Sequence, residues 1–431
     1  MQINDLIILC LLLGCLATYI PVFLSLFFTA AFGFMFFMGL PLALMAQTLF
    51  RSLDKFSLVV VLFFILCGNI MSKGKTVEKL INLANALVSW LPGGLGMAGV
   101  IGCGLFGAIS GSTVATVVAL GGFMIPALLK HGYDEDYAIG LMTTSPNLGV
   151  IIPPSISMIF YSMISNVSLE GLFITGFIPG LLIIFCVCFY TWIIYRKRDD
   201  IKRLPAPSFS QLFMIFKEGF WALMLIIIIF GGIFSGMFTA NEAAVVACVY
   251  AFFVELVIFR SMNFADVKSI TISSAVTSAT LLLIVASASC FGRYMTFENI
   301  PSRVAELVIG SINSPVVFLL VMNLLLFIIG MFMDIISATL ILGPVFLPLL
   351  GHFNVDPMHF GLIMTVNLAI GYCTPPMGVS LFIVGAMAER DTIYVTKAVL
   401  PFLLIQIAVL FFLSYFPDVV LLLPRLLGYH T

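Results

Sequence analysis

Polar positions in this chain are gathered into short punctuating stretches, and between them run apolar blocks long enough to cross a bilayer. A helix needs about 20 apolar residues to span a hydrocarbon layer of about 30 Å. By that measure residues 3–40 hold two passes broken near Pro21, and residues 56–71 a third. Residues 77–90 mix Lys, Glu and Asn with apolar positions and predict an amphipathic arm lying along the interface, ended by Pro92-Gly93-Gly94. Residues 96–129 are apolar but divided by the polar knot Ser110-Gly111-Ser112-Thr113. Each half is short for a full span, so the stretch predicts a re-entrant helical hairpin whose tip stops inside the membrane. Backbone of that kind survives at depth only when buried in protein or facing a wet cavity.

A pass at 136–166 follows, interrupted by Asn147-Leu148-Gly149 and Pro153-Pro154, and then an uninterrupted span at 172–195. The basic run from Arg196 to Arg203 places that end in the cytoplasm by the positive-inside rule. The order then recurs: spans at 220–238, 241–259 and 270–291, an arm at 302–313, a hairpin at 316–350, a broken pass at 359–387 and a last span at 398–420.

The recurrence is an internal repeat. An offset of 222 residues superposes Pro153-Pro154 on Pro375-Pro376, Pro126 on Pro348, Asp134 on Asp356, Thr143 on Thr365 and Gly149 on Gly371. Residues 120–154 match 342–376 at 10 of 35 positions without a gap, where this composition gives about three by chance. Five passes separate the two copies, an odd number, so they are inverted. The repeats divide the chain at 1–203 and 204–431. Lys73, Lys75, Lys79, Lys130, Arg260, Lys268 and Lys397 fall inside on this topology, whereas Arg51, Lys55, Arg293 and Arg303 fall outside and run against it. The expected fold is an all-α polytopic membrane protein, an inverted repeat with two re-entrant hairpins and two broken transmembrane helices.

Composition narrows the class further. Of 431 residues 62% are hydrophobic and 9% charged, with mean hydropathy +1.20, against about 25% charged in soluble domains. A net charge of −1 without a basic stripe offers nothing to nucleic acid. The start, MQINDLIILC, has no basic n-region or cleavage site and is expected to be a first span. Nine cysteines without a CxxC read as small apolar core residues.

Candidate chemistry lies at the breaks. Interrupting a helix frees carbonyls on one side and N–H groups on the other, with opposite partial charges, and inverted repeats with such breaks build sites in many secondary transporters. Pro153, Pro154, Pro375 and Pro376 make the breaks obligatory, because proline lacks a donor and excludes the preceding turn. Carbonyls over 149–152 and 371–374 suit a small hard cation. Helix N-termini and hydroxyls at Ser110, Ser112, Thr113, Ser155 and Ser157, with Asn147, suit an anion. Acids at depth are few: Glu242 and Glu255 near span ends, and Asp334 beside the second hairpin tip, which is the better site candidate. Carbonyl-bound Na+ is therefore favoured over a carboxylate-borne proton. GxGxxG at 102–107 follows no βαβ strand, and GxxxG at 107–111, 176–180 and 232–236 means close helix packing. There is no P-loop, no HExxH and no histidine cluster.

The segments SGST (110–113), NLGVIIPPS (147–155) and GYCTPPMG (371–378), with FFILCGNIM (63–71) and LPGGLG (91–96), resemble the large membrane subunit of tripartite ATP-independent periplasmic (TRAP) transporters. The resemblance covers essentially the whole chain. It implies the ion-transporter superfamily fold, an elevator mechanism and coupling to Na+. It implies one Na+ site at Gly107, Ser110, Gly149, Ile152 and Pro154, and a second at Gly330, Met333, Gly371, Thr374 and Met377. Ser112, Thr113, Asn147, Ser155 and Asp334 are the expected substrate contacts. The implied partners are a small four-helix membrane subunit and a periplasmic binding protein that delivers an organic anion such as a C4-dicarboxylate, a sialic acid or another sugar acid. No cofactor and no catalysis are expected. A stand-alone carboxylate symporter of the same superfamily is the alternative; an intramembrane enzyme lacks converging acids, and a passive channel has no use for inverted hairpins.

Overall fold

The computed structural model describes residues 3–18, 20–198, 207–376 and 378–429, and within these the chain is built of helices and short connections. The end of the basic run, residues 199–203, and Met377 lie outside the described residues. Eight helices are long and apolar enough to cross a bilayer, and the bent pair Glu135–Ile151 and Ile156–Ser165 makes a ninth candidate, all among the described residues.

Local chemistry sets the boundaries. Pro21 and Pro41 stand at the N-caps of Val22–Phe32 and Leu42–Leu53, where a missing N–H costs nothing. Leu42–Leu53 is a helix that the hydropathy pattern does not reveal: its apolar face is interrupted by Gln47, Thr48, Arg51 and Ser52, so no apolar block stands out. Three consecutive long helices open on complete capping boxes, Ser208/Gln211, Thr239/Glu242 and Asn263/Asp266, each satisfying two otherwise orphaned donors. The box at Ser208 starts its helix eleven residues ahead of the apolar block at 220. The third of these helices, Phe264–Phe297, has 34 residues and is about 51 Å long at 1.5 Å per residue.

The helices at 22–32, 42–53 and 59–73 pack around Phe264–Phe297, and 240–253 packs on 59–73. Against this group sit the hairpins. Gly94–Ser110 and Thr113–Lys130 form the first, with the arm Thr76–Val88 laid along it. Pro315–Gly330 and Ile335–His352 form the second, with Ile300–Ser311 laid along it. The broken helices, Glu135–Ile151 with Ile156–Ser165 and Pro357–Gly371 with Val379–Ala388, pack between the hairpins and the last long helix, Thr392–Tyr415.

The two acids expected near span ends both cap helices. Glu242 is exposed and closes its own capping box. Glu255 is fully buried, and its carboxylate accepts from the Lys75 and Thr76 N–H groups at 3.1 and 3.0 Å and from the Ser261 hydroxyl. It thereby caps the arm helix from a neighbouring span. Gly74 lets it approach, since a methyl group there would lie 2.1 Å from the carboxyl carbon. The glycine pair at 232–236 is not a helix contact: Gly232 makes room for the ring of Phe238, which folds back at the end of its own helix.

Candidate functional site

The first hairpin tip sits on the first break. A methyl group added to Gly107 would lie 2.6 Å from the Cα of Gly149, and one added to Gly149 would lie 2.7 Å from Thr116 Oγ1 and 2.8 Å from the Ser112 carbonyl oxygen. These backbones meet only because neither residue carries a side chain. At the tip itself Gly111 adopts φ +61°, and its carbonyl accepts the Ile156 N–H at 3.4 Å across the break. Its α-carbon faces the Pro154 carbonyl, 2.6 Å from where a Cβ would stand. Gly107 is thus set on Gly149 and Gly111 on Pro154, Ile152 turns its side chain toward Gly104 and Gly180, and the Ser110 hydroxyl pairs with Thr116 Oγ1 at 3.1 Å.

The second hairpin repeats the approach. A methyl group on Gly371 would lie 2.5 Å from the carbonyl carbon of Gly330. The peptide bonds Pro153-Pro154 and Pro375-Pro376 are both cis. Met333 and Asp334 form the turn between Gly330 and Ile335, and Asp334 Oδ1 caps the following helix by accepting the Ser337 N–H at 2.9 Å. The Tyr372 hydroxyl accepts the Ile335 N–H at 3.4 Å, tying this tip to its break. Thr374 donates its hydroxyl to the Ile370 carbonyl at 2.9 Å.

The breaks differ in cover. Pro153 and Pro154 are buried, whereas Pro375 and Pro376 are exposed. The glycine pair Gly176 and Gly180 on the span Leu169–Tyr195 accounts for this. Methyl groups there would fall 2.1 Å from the Ile151 carbonyl oxygen and 2.4 Å from Ile152 Cγ1, so that span lies directly on the first break.

Between the tips and the long helices lies a cavity of about 500 Å³. Ser110, Ser112 and Asp334 line it from the hairpins, Tyr372 from the second break, Asn69 and Ser72 from the span Phe56–Lys73, and Ser273 and Thr277 from Phe264–Phe297. No lysine or arginine lines it. An anion here would be held by hydroxyls, amides and the N-terminus of Thr113–Lys130, equivalent to about half a positive charge, whereas the N-terminus of Ile335–His352 is already capped by the Asp334 carboxylate.

Three of the expected substrate contacts lie outside this cavity wall. Asn147 is fully buried, and its amide donates to Gln406 Oε1 at 2.9 Å. Ser155 is fully buried and bonded to Ser157 at 2.9 Å. Thr113 is 1% exposed and points into protein. The sequence reading takes Tyr372 only for its carbonyl and omits Thr116, Asn69, Ser72, Ser273 and Thr277. The last two had a signal: Ser269, Ser273 and Thr277 recur every fourth residue, one polar stripe on an apolar helix. Among the described residues no cluster of His, Cys, Asp or Glu could hold a metal ion.

Residues 9–419 match the family model described as "Tripartite ATP-independent periplasmic transporter, DctM component". The chain is 38% identical over 440 residues to the C4-dicarboxylate TRAP transporter large permease protein DctM of Rhodobacter capsulatus, covering 99% of this chain and 100% of that one. It is 35% identical to the sialic acid TRAP transporter large permease protein SiaM of Vibrio cholerae, covering 97% and 98%. Its fold is similar to that of the YdaH transporter of Alcanivorax borkumensis, with a TM-score of 0.62 at 16% identity over 88% of this chain and 89% of that one. A match over nearly the full length, to the family model and to both permeases, decides the assignment: this chain belongs to the family of large permease subunits of tripartite ATP-independent periplasmic transporters.

Proposed function

We propose that this subunit carries an organic anion across the bacterial inner membrane in symport with Na+. Its two halves act as inverted repeats, and the hairpins and broken helices move as an elevator against the long helices. The observation that carries the reading is the doubled backbone contact, Gly107 on Gly149 and Gly330 on Gly371, at two hairpin tips beside one cavity. Close approach of two main chains at a helix break gathers carbonyls without side chains in the way, which suits a small hard cation that is released again on the other side.

One Na+ site then comprises Gly107, Ser110, Gly149, Ile152 and Pro154. The other comprises Gly330, Met333, Gly371 and Thr374, with Met377. Ser112 and Asp334 are the substrate contacts retained from the sequence, joined by Asn69, Ser72, Ser273 and Thr277. Bound Na+ supplies positive charge that the cavity wall lacks, so cation and anion favour each other's binding. The substrate class is a carboxylate such as a C4-dicarboxylate, a sialic acid or another sugar acid, following the relatives' names. The partners are a small four-helix membrane subunit and a periplasmic binding protein.

Reconstituted with both partners, the subunit should accumulate substrate when Na+ is imposed outside. Equal uptake from choline medium overturns Na+ coupling. Uptake by this chain alone would favour the stand-alone symporter.

A further inference from the structure

Between the two breaks lies a buried polar bridge that neither the cavity nor the carbonyl cages account for. In the first broken helix Pro146 offers no N–H, and the turn tightens to a 3-10 helix over Ser145–Asn147. Just before it, the carbonyls of Thr143 and Thr144 take donors from elsewhere in the chain. Gln406, on Thr392–Tyr415, donates its Nε2 to the Thr144 carbonyl at 2.9 Å and accepts Asn147 Nδ2 at 2.9 Å. Cys373 donates its thiol to the Thr143 carbonyl at 3.2 Å, and Asn147 Nδ2 also reaches its sulfur at 3.4 Å. Thr143, Thr144, Asn147, Cys373 and Gln406 are all fully buried. Water cannot substitute for any partner lost there.

The positions matter as much as the bonds. Asn147 is two residues ahead of Gly149, and Cys373 sits between Gly371 and Thr374 inside the second break. The bridge therefore joins the backbone of one proposed ion cage to that of the other. It is also unique in a chain that otherwise repeats. At the 222-residue offset Asn147 falls on Ala369, Cys373 on Ile151 and Gln406 on Ile184, none of which can make these bonds.

We propose that Asn147, Gln406 and Cys373 are positioning residues that couple the two ion sites, so that filling one cage orders the other; this rests on the Na+ symport reading above. Coupling between sites commonly amounts to about 5–150-fold in affinity. The bridge makes Na+ activation cooperative.

The test is uptake against Na+ concentration for the complete transporter in proteoliposomes, comparing wild type with Cys373→Ala, Cys373→Ser and Gln406→Met, each first checked for a monodisperse, cooperatively melting complex. Wild type should give a Hill coefficient approaching two. Cys373→Ala and Gln406→Met should lower it toward one while uptake at saturating Na+ persists. Cys373→Ser, which keeps a donor to the Thr143 carbonyl, should restore cooperativity; a merely structural role would not produce that rescue. Should one variant fail to fold, the other still reads the coupling. A wild type without cooperativity, or Ala and Met variants as cooperative as wild type, overturns the bridge and leaves symport standing. Equal loss in the Ala and Ser variants also overturns it. A wild type indifferent to Na+ removes the symport reading and the bridge with it.

Discussion

Gly371→Ala is the sharpest single test of the doubled backbone contact. The new methyl carbon would stand 2.5, 2.6 and 2.7 Å from the carbonyl carbon, Cα and oxygen of Gly330. Carbon atoms rest at about 3.5–4.0 Å, so the second hairpin tip and its break must part by about 1 Å. All three atoms are main chain, so no rotamer change relieves the clash. Overpacking of this kind costs about 1–3 kcal/mol. Where the cost falls on the ion-bound state, it raises the Na+ concentration for half-maximal uptake by about 5-fold to 150-fold at 1.4 kcal/mol per decade. The reverse substitution is graded: on Gly330 a methyl would meet Gly371 Cα at 3.2 Å, so Gly330→Ala should shift the same midpoint less. Gly292→Ala, at a helical site with nothing within 4 Å of the added carbon, is the control and should leave it unchanged. Uptake into proteoliposomes over a Na+ series reads all three. Gly371→Ala with a wild-type Na+ midpoint refutes the argument that this contact builds a cation site.

The first tip should behave alike: Gly149→Val presses on Thr116 and the Ser112 carbonyl and should abolish Na+-driven uptake, measured beside surface expression. Ser273→Leu and Thr277→Leu narrow the cavity from its helix wall and should raise KM for substrate while leaving Na+-dependent thermal stabilisation in place; a shift of both together would argue against a separate substrate wall. Glu255→Ala strands the Lys75 and Thr76 N–H groups inside protein, at about 1–3 kcal/mol each, and should lower the melting midpoint measured by dye binding without changing the Na+ midpoint of the surviving protein. Glu135→Gln weakens the solvent-facing pair with Arg390, at 2.8 Å, and should cost less than about 1 kcal/mol in the same melt.

What the sequence made legible was what covalent chemistry forces locally. A double proline breaks a helix wherever it is placed, so Pro153-Pro154 and Pro375-Pro376 marked the breaks, with Gly149 and Gly371 just ahead of them, whereas Gly107 and Gly330 were reached only through the family resemblance. Partnerships across the chain left no such mark. Asn147 looked like a substrate contact because a lone amide in an apolar pass invites one, yet its partner Gln406 is 259 residues away. Glu255 stood out only by its place near a span end, and its partners at Lys75 and Thr76 lie 180 and 179 residues back. The different cover of the two double prolines was hidden too. It depends on Gly176 and Gly180 landing on one break, which a one-dimensional repeat cannot express.

The cavity is walled by two kinds of structure, and they can change at different rates. On one side are hairpin tips and breaks that meet through main chain at Gly107, Gly149, Gly330 and Gly371 and add the side chains of Ser110, Ser112, Asp334 and Tyr372 to the wall. On the other, Asn69, Ser72, Ser273 and Thr277 project from uninterrupted helices that hold their shape whatever side chain they carry. A handful of substitutions on that second wall can refit the chamber to a longer or bulkier cargo without disturbing a single carbonyl opposite. One driving mechanism can thus be inherited intact while the passenger is exchanged.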